Sequence, residues 1–326
     1  MHVTRGFALA TSALVLFLQL FVGAGSSAFA QEFPIKPIRF IVPYSPGTAQ
    51  DIIARVMAPE MTKTLGQPLV VENRTGANTL IGYEYVAKQA PADGYTIAAV
   101  LVPDLATLPV TAKELRFDPV KDLPPIIGLA EGRYLLVSAA DQPWKSLSEM
   151  SAHIRANPGK LNYGSASGIG RLSVEAVLRD AGLAVVYVPY ANGAAYIKAL
   201  VTGEVHMGFL AVAPVKSLGE KLRVLALTGE QRDAAMPTVP TFAELGYPQL
   251  RGLSNSINAA AGIPKPAFDK LYAAASRALK EPEVRARLTN IQMEIAEQSP
   301  EVAAKRFADE ARYLAEVARK AGIQPQ

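Results

Sequence analysis

No cysteine occurs among the 326 residues. That excludes disulfide stapling, thiolate nucleophiles and cysteine-held metals. Histidine is nearly as scarce, with three copies at His2, His153 and His206. No His-Glu pair has zinc spacing, and no acidic run resembles a calcium loop, so no metal site is expected. A serine nucleophile on a Gly-x-Ser-x-Gly elbow is missing too: Gly164-Ser165-Ala166-Ser167-Gly168 has alanine at its centre. Gly168-Ile169-Gly170 lacks the third glycine of a dinucleotide fingerprint, because Ser173 stands there. These absences argue against an enzyme and against a cofactor. The charge excess is small, 33 Lys and Arg against 29 Asp and Glu, and it is spread along the chain, so nucleic acid is a poor partner. Past the first thirty residues no run is long and apolar enough to span a bilayer. There is no 20–50 residue repeat and no flexible linker.

What is present begins with a leader. Arg5 precedes an apolar run over residues 7–22, and Ala28-Phe29-Ala30 makes a small-x-small cleavage site before Gln31. This pattern predicts a cleaved secretory signal at 1–30 and a mature protein in the periplasm. No cysteine follows the cleavage point, so lipid attachment there is excluded. About 300 residues remain, enough for two ordinary domains.

The chain is organised around RFIVPYSPGTAQDIIAR, residues 39–55. A β-branched run, Phe40-Ile41-Val42, reads as a buried strand. Pro43, Pro46 and Gly47 break it into a loop, and Thr48-x-x-Asp51 has capping-box spacing for a helix. Strand, small-residue loop and capped helix together place free backbone N–H groups where an anion can sit. A plain connector gives the same local pattern. Further strands are expected at 69–72, 95–102, 134–138, 184–188, 205–212 and 222–228. Helices are expected near 83–89, 146–156, 171–181 and 193–201, in a short piece of 236–248, and through most of the chain from Lys265. Alternation of this kind predicts parallel sheets with right-handed crossovers. The loops at 43–51, 74–82, 100–104, 163–171 and 189–194 are rich in Gly, Ser, Thr and Asn, with Tyr44 and Tyr190 as aromatic walls. Such loops suit recognition of a small anion.

A family resemblance covers essentially the whole mature chain. KPIRFIVPYSPGTAQDIIAR, LGQPLVVENRTGAN, DGYTI, RFDPVKDL, ANPGKLNYGSASGIG, VPYANGAAYIKALVTGEV, KLRVLALTGEQRDAAMPTVPTFAELGYP and AGIPKPAFDKL occur in order. They resemble the Bug/TctC family, the extracytoplasmic solute-binding receptors of tripartite tricarboxylate transporters. The resemblance implies an α/β, two-lobed periplasmic-binding-protein-like fold, type II-like, with crossing strands joining the lobes and a ligand cleft between them. Lobe one would be 31–128 plus 253–326, and lobe two 129–252. A ligand carboxylate would be held by Tyr44, Ser45, Gly47, Thr48 and Asp51 on the first loop. Facing them would be Ser165, Ala166, Ser167, Gly168 and Gly170, then Tyr190, Asn192 and Gly193. Ordered water often bridges carboxylate and backbone in this family.

The chain departs from the family pattern in four places. The double glycine of the first loop is Gly47-Thr48. The loop at 165–170 is shorter, and Arg171 falls where a histidine usually ends it. Val100-Leu101-Val102 replaces a Gly-Thr-Ser-like strand end, and Ser254 stands near a customary aromatic. Arg171 then either forks onto a carboxylate or pairs with Glu175 at i+4 or faces solvent. Val102 and its neighbours would give an apolar wall, favouring a carboxylate with a hydrophobic or aromatic body. Asp51 either orients the loop's donors or meets an amine. The expected protein is a monomeric receptor that delivers its carboxylate to the membrane permease subunits of a tripartite tricarboxylate transporter. The alternatives are signalling to a sensor kinase and, more remotely, a periplasmic hydrolase or isomerase.

Overall fold

The computed structural model describes residues 32–325; the expected leader lies outside them. The chain opens with β1 (Ile38–Val42), α1 (Ala49–Leu65), β2 (Leu69–Asn73), α2 (Leu80–Glu84), β3 (Thr96–Leu101), α3 (Val102–Thr111), α4 (Pro119–Asp122) and β4 (Pro125–Gly132). It continues through β5 (Tyr134–Ala139), α5 (Leu147–Ala156), β6 (Asn162–Ser165), α6 (Gly168–Asp180), β7 (Val186–Pro189), α7 (Gly193–Val201), β8 (Met207–Ala211), α8 (Val212–Leu218) and β9 (Leu222–Leu227). The last elements are β10 (Leu253–Ala259), α9 (Lys265–Lys280), α10 (Pro282–Asn290), β11 (Met293–Gln298) and α11 (Pro300–Lys320).

Two sheets result, in the orders β11-β4-β10-β3-β1-β2 and β7-β6-β8-β5-β9. Each carries one lobe, as the resemblance implies. Both sheets are mixed, where strand-helix alternation predicts parallel ones. In the first, β1 pairs β2 and β3 in parallel, while β10 and β11 run antiparallel to their partners. In the second, β5 runs antiparallel to β8 and β9. The discrepancy has a local cause. β10 reads LSNSINA, and its polar side chains are buried by bonding one another and the backbone. Gln50 Nε2 donates to Asn255 Oδ1 at 3.1 Å, and Asn258 Nδ2 donates to Leu123 O at 2.7 Å. A strand satisfied in this way carries no apolar alternation.

β1 is buried on both faces. Ile38, Phe40 and Val42 pack against Ile53, Met57 and Met61 of α1 and Leu271 and Ala274 of α9, whereas Ile41 belongs to the opposite core. That second core does not stop at the lobe boundary. It runs from Ile41 and Val100 through Leu105 and Leu108 of α3 and Phe307 and Leu314 of α11. It continues into Leu172, Ala176 and Val177 of α6 in the other lobe.

The lobes are joined at a close pass of two backbone segments. β4 stays in the first sheet to Gly132 and β5 begins in the second at Tyr134, so the passage falls at Arg133 rather than after residue 128. The return passage enters β10, where Leu253 pairs with Gly132. A Cβ on Gly252 would collide with the carbonyl oxygen of Gly132 and lie 3.3 Å from Thr228 Oγ1. Arg133 ties both sides. Its Nη1 donates to Gln231 O at 2.7 Å in the second lobe, and its Nη2 reaches Glu294 Oε1 at 2.9 Å on β11.

Three local expectations differ from the structure. The capping box at Thr48 is not formed: Thr48 Oγ1 donates to Ser45 O at 2.9 Å, and Asp51 accepts from Gly47 N instead. Residues 236–248 form turns rather than a helix. Val102 opens a helix instead of closing a strand, because Pro103 suits a first turn. Gly252→Ala tests the close pass. A methyl group forced against backbone costs about 1–3 kcal/mol, so urea unfolding should give a free energy of unfolding lowered by that much, read as a lower midpoint at unchanged m; an unchanged midpoint would mean the two passages have room to separate.

Candidate functional site

The second-lobe loop is built by its own serines. Ser165 Oγ donates to Ser167 O at 2.8 Å and accepts from Ser167 N at 3.1 Å, and Ser167 Oγ caps α6 by accepting from Gly170 N at 3.2 Å. Gly170 is required here, since a Cβ would run into both serine hydroxyls and Tyr134. The capped helix presents the N–H groups of Gly168 and Ile169, which have no acceptor within the helix, and its dipole favours a negative charge at that end.

A cavity of about 320 Å³ opens at this point. Ser165, Ala166, Ser167, Gly168, Arg171, Leu172, Tyr187, Pro189 and Tyr190 line it from the second lobe. Asn78, Thr111, Ile323 and Gln324 close it from the first. The two lobes touch beside it: a Cβ on Gly168 would sit 3.2 Å from Thr111 Cγ2 and 3.5 Å from Thr107 Oγ1. Asn78 arrives on a strained loop, with Ala77, Asn78 and Thr79 all in the left-handed region at φ 45°, 50° and 74°.

Among the described residues, Arg171 is the one cation lining this cavity. Its guanidinium lies 4.4 Å from the Tyr187 ring centroid, and its Nε is buried without a hydrogen-bond partner. The i+4 pairing with Glu175 is not formed. Glu175 instead accepts from Tyr163 at 2.5 Å and from Arg179 at 3.3 Å. The guanidinium thus lies over the Tyr187 ring and interacts with the Tyr163 hydroxyl, while its unsatisfied, buried Nε carries a cost in free energy.

The first loop is not brought to this cavity. Asp51 has a side chain 4% exposed. One oxygen accepts from Asn73 Nδ2 at 2.8 Å, the other from Gly47 N at 2.9 Å, and Arg55 Nε lies 3.0 Å from both. Burial opposes its charge, yet Arg55, the Gly47 N–H and Asn73 together hold its carboxyl below the usual range. Asp51 is therefore engaged in holding the first loop, and it does not line this cavity. Tyr44 donates to Asp104 Oδ2 at 3.1 Å and shares a 3.0 Å hydrogen bond with Tyr83, so its hydroxyl is engaged within the first lobe. Ser45, Gly47 and Thr48 are likewise absent from the lining.

Three other expected residues also lie elsewhere. Val102 faces a hollow of about 20 Å³ within the first lobe, beside Ser254 and Phe307, because the helix starting there turns it inward. Asn192 caps α7 by accepting from Ala195 N at 3.0 Å, and Gly193 has no neighbour for an added Cβ within 4 Å. The apolar wall comes instead from Leu172, Tyr187, Pro189 and Ile323. Sequence reasoning reached Pro189 only as part of the 189–194 loop and singled out none of Leu172, Tyr187 and Ile323, since only the fold assembles them. Larger hollows of about 400 and 480 Å³ are poorer candidates. The cations of the first, Arg179, Arg312 and Lys320, are already paired with acids, and the second is confined to one lobe.

Two lobes on mixed sheets, joined at a double passage and walling a cavity between them, are the architecture of a solute-binding protein. The chain belongs to the tripartite tricarboxylate transporter receptor family, TctC, whose profile matches residues 53–323. It is 38% identical over 293 residues to the UPF0065 protein in the gbd 5' region of Cupriavidus necator, covering 89% of this chain and 87% of that one. Among solved structures it is similar to an adipate-bound R. palustris protein, with a TM-score of 0.75, 29% identity and coverage of 90% and 100%. MatC of Rhodopseudomonas palustris with bound malate gives a TM-score of 0.73 at 29% identity, covering 88% of this chain and 100% of that one. The family consists of binding receptors, and this chain is not an enzyme. Among the described residues, no helix is long and apolar enough to cross a membrane.

Asp104, in the first turn of α3, carries a pH signature. Burial pushes its carboxyl up to about 6, and the hydrogen bond from Tyr44 opposes that shift only in part. A folded-state value above the unfolded one means the folded chain binds more protons between about pH 4 and 6, so this group stabilises on acidification and destabilises as pH rises. Burial also pushes Glu310 up to about 7, which acts in the same direction, and His206, lowered by burial, acts oppositely. Comparing wild type with Asp104→Asn cancels both. The variant should be the more stable at pH 7.5, with the gap closing by pH 4.5 in urea titrations; a gap independent of pH would remove Asp104 as the titrating group.

Proposed function

We propose that this chain captures a small carboxylate in the periplasm, after removal of a signal peptide at 1–30, and delivers it to the membrane subunits of a tripartite tricarboxylate-type transporter. The observation that carries the reading is Arg171: a cation with an orphaned, buried Nε beside the free N–H groups of a capped helix, in a cavity walled by both lobes. Carboxylate binding there converts an unfavourable desolvated donor into a charge-assisted hydrogen bond. The malate and adipate held by similar structures support a carboxylate as the ligand class.

Ligand contacts would come from Arg171, Ser167 and the N–H groups of Gly168 and Ile169, with Asn78 and Thr111 meeting the ligand from the other lobe. Leu172, Tyr187, Pro189, Tyr190 and Ile323 suit a hydrophobic or aromatic body. Residues 32–132 and 253–325 would form one lobe and 134–251 the other, hinging at Arg133 and Gly252. A ligand that touches both lobes favours the closed arrangement, because only there are all its contacts made.

A thermal-shift screen of mono-, di- and tricarboxylates and aromatic acids should find ligands that raise Tm as RT ln(1 + [L]/Kd). With the best of them, Arg171→Ala should weaken binding at least about tenfold, roughly 1.4 kcal/mol. Calorimetry showing a change below about threefold, roughly 0.7 kcal/mol, would take Arg171 out of the site.

A further inference from the structure

Among the described residues, Ile323 is the one apolar side chain that the first lobe brings to the cavity, beside the uncharged Asn78, Thr111 and Gln324. The way α11 ends puts it there. Gly322 takes a left-handed conformation at φ 64°, and its N–H donates to Arg319 O at 3.2 Å. The N–H of Ile323 reaches back to Ala318 O at 3.0 Å. These paired bonds are a glycine-terminated helix stop, which folds the residue after the glycine back against its own helix. A Cβ on Gly322 would meet nothing within 4 Å, so glycine serves here for its φ and not for room. Ile323 is only 8% exposed and joins the core that holds Val317 and Ala318 of α11 and Leu172 of α6. Leu172 also lines the cavity and follows Arg171 directly in sequence. A carboxylate held at Arg171 therefore has an apolar neighbour in Leu172, and Ile323 is the apolar group that the facing lobe offers.

We propose that Ile323 is a specificity-determining residue that sets how large an apolar body the bound acid can carry. Its side chain branches at Cβ, which leaves it few rotamers, and its backbone is fixed by the helix stop. A wall held in this way yields little to a bulkier ligand. One methylene more or less in a hydrophobic pocket discriminates about tenfold or more. Because α11 belongs to the first lobe and packs on α6 of the second, the ligand's body meets this wall where both lobes close the cavity. Size is then selected across the lobe boundary, separately from the charge recognised at Arg171.

The inference rests on the carboxylate-receptor reading, and the test separates the two. Calorimetry at pH 7.5 compares two series of growing body: butyrate, hexanoate and octanoate, and benzoate with 4-tert-butylbenzoate. For each series that wild type binds, the affinity ratio of the bulkiest to the smallest acid is taken. Ile323→Ala, checked for a native melting transition, should shift that ratio at least about threefold toward the bulkiest acid in at least one series. Ile323→Val, shorter by one methylene, serves with the same threshold if the alanine variant does not fold. Loss of packing alone lowers Tm but does not reorder acids by size. A smaller shift in both series, or one toward the smallest acid, would therefore overturn the role of Ile323 and leave the receptor reading standing. So would a wild type that binds acids of the thermal-shift screen but none of these. Failure of every acid, the screen included, to bind wild type would overturn the receptor reading itself, and the inference with it.

Discussion

The molecule turns on a place where two stretches of backbone pass too closely to admit a methyl group. Gly252 lies against the carbonyl of Gly132, and the chain changes sheet on both sides of that contact. With the passages side by side, the lobes can rotate about a narrow line but cannot easily part. Arg133 reinforces the line with hydrogen bonds to Gln231 O on one side and Glu294 on the other. The cavity beyond the hinge owes its two walls to this arrangement. Helices α3 and α11 reach from the first lobe to α6 in the second, so one hydrophobic core crosses the boundary. A change of lobe angle must therefore slide packed side chains, which favours discrete arrangements over continuous ones.

Electrostatics give the cavity a direction. On the second-lobe side are Arg171 and the capped start of α6, and the first lobe contributes the uncharged Asn78, Thr111, Ile323 and Gln324. Among the described residues Arg171 enters no ion pair, which is uncommon for a cation so shielded from water. Elsewhere the acids and bases are mostly paired at the surface, as with Arg179 and Glu175 or Lys320 and Glu316. Burying the Asp104 carboxylate without an ion pair also costs stability, and its raised pKa is one expression of that cost. Folding alone offers no return for the unpaired Arg171; a carboxylate ligand does.

Much of the scaffold is legible from short-range chemistry. The run Phe40-Ile41-Val42, the turn at Pro43 to Gly47 and the apolar stripe of Ile52, Ile53 and Val56 each depend on near neighbours, and they appear where the local pattern puts them. Likewise Ser167 and Asn192 cap the helices that follow them. Residues satisfied by distant partners are illegible. β10 hides its strand behind Asn255 and Asn258, whose bonds go to Gln50 and Leu123. Asp51 matches a capping box on paper, but Asn73 and Arg55 draw it into a clamp on the first loop, which removes that loop from the cavity lining. For the site, the loop at 165–171 could be read because its glycines and serines act on one another. Tyr187, Thr111 and Ile323 could not, because no local rule relates them to Arg171. Asp104 lay in a proline-punctuated stretch with no clear period, though a strand end, Pro103 and an acid in succession do spell a helix start.

The central claim is that a carboxylate docks where α6 begins and is met from the facing lobe. Hydrogen–deuterium exchange, with and without a saturating acid, tests it most directly. The account predicts added protection concentrated at residues 165–172 and 186–190, with a smaller gain around Asn78 and Thr111. Protection centred on residues 43–51 with none at 165–172, under conditions where calorimetry shows the acid bound, would contradict it.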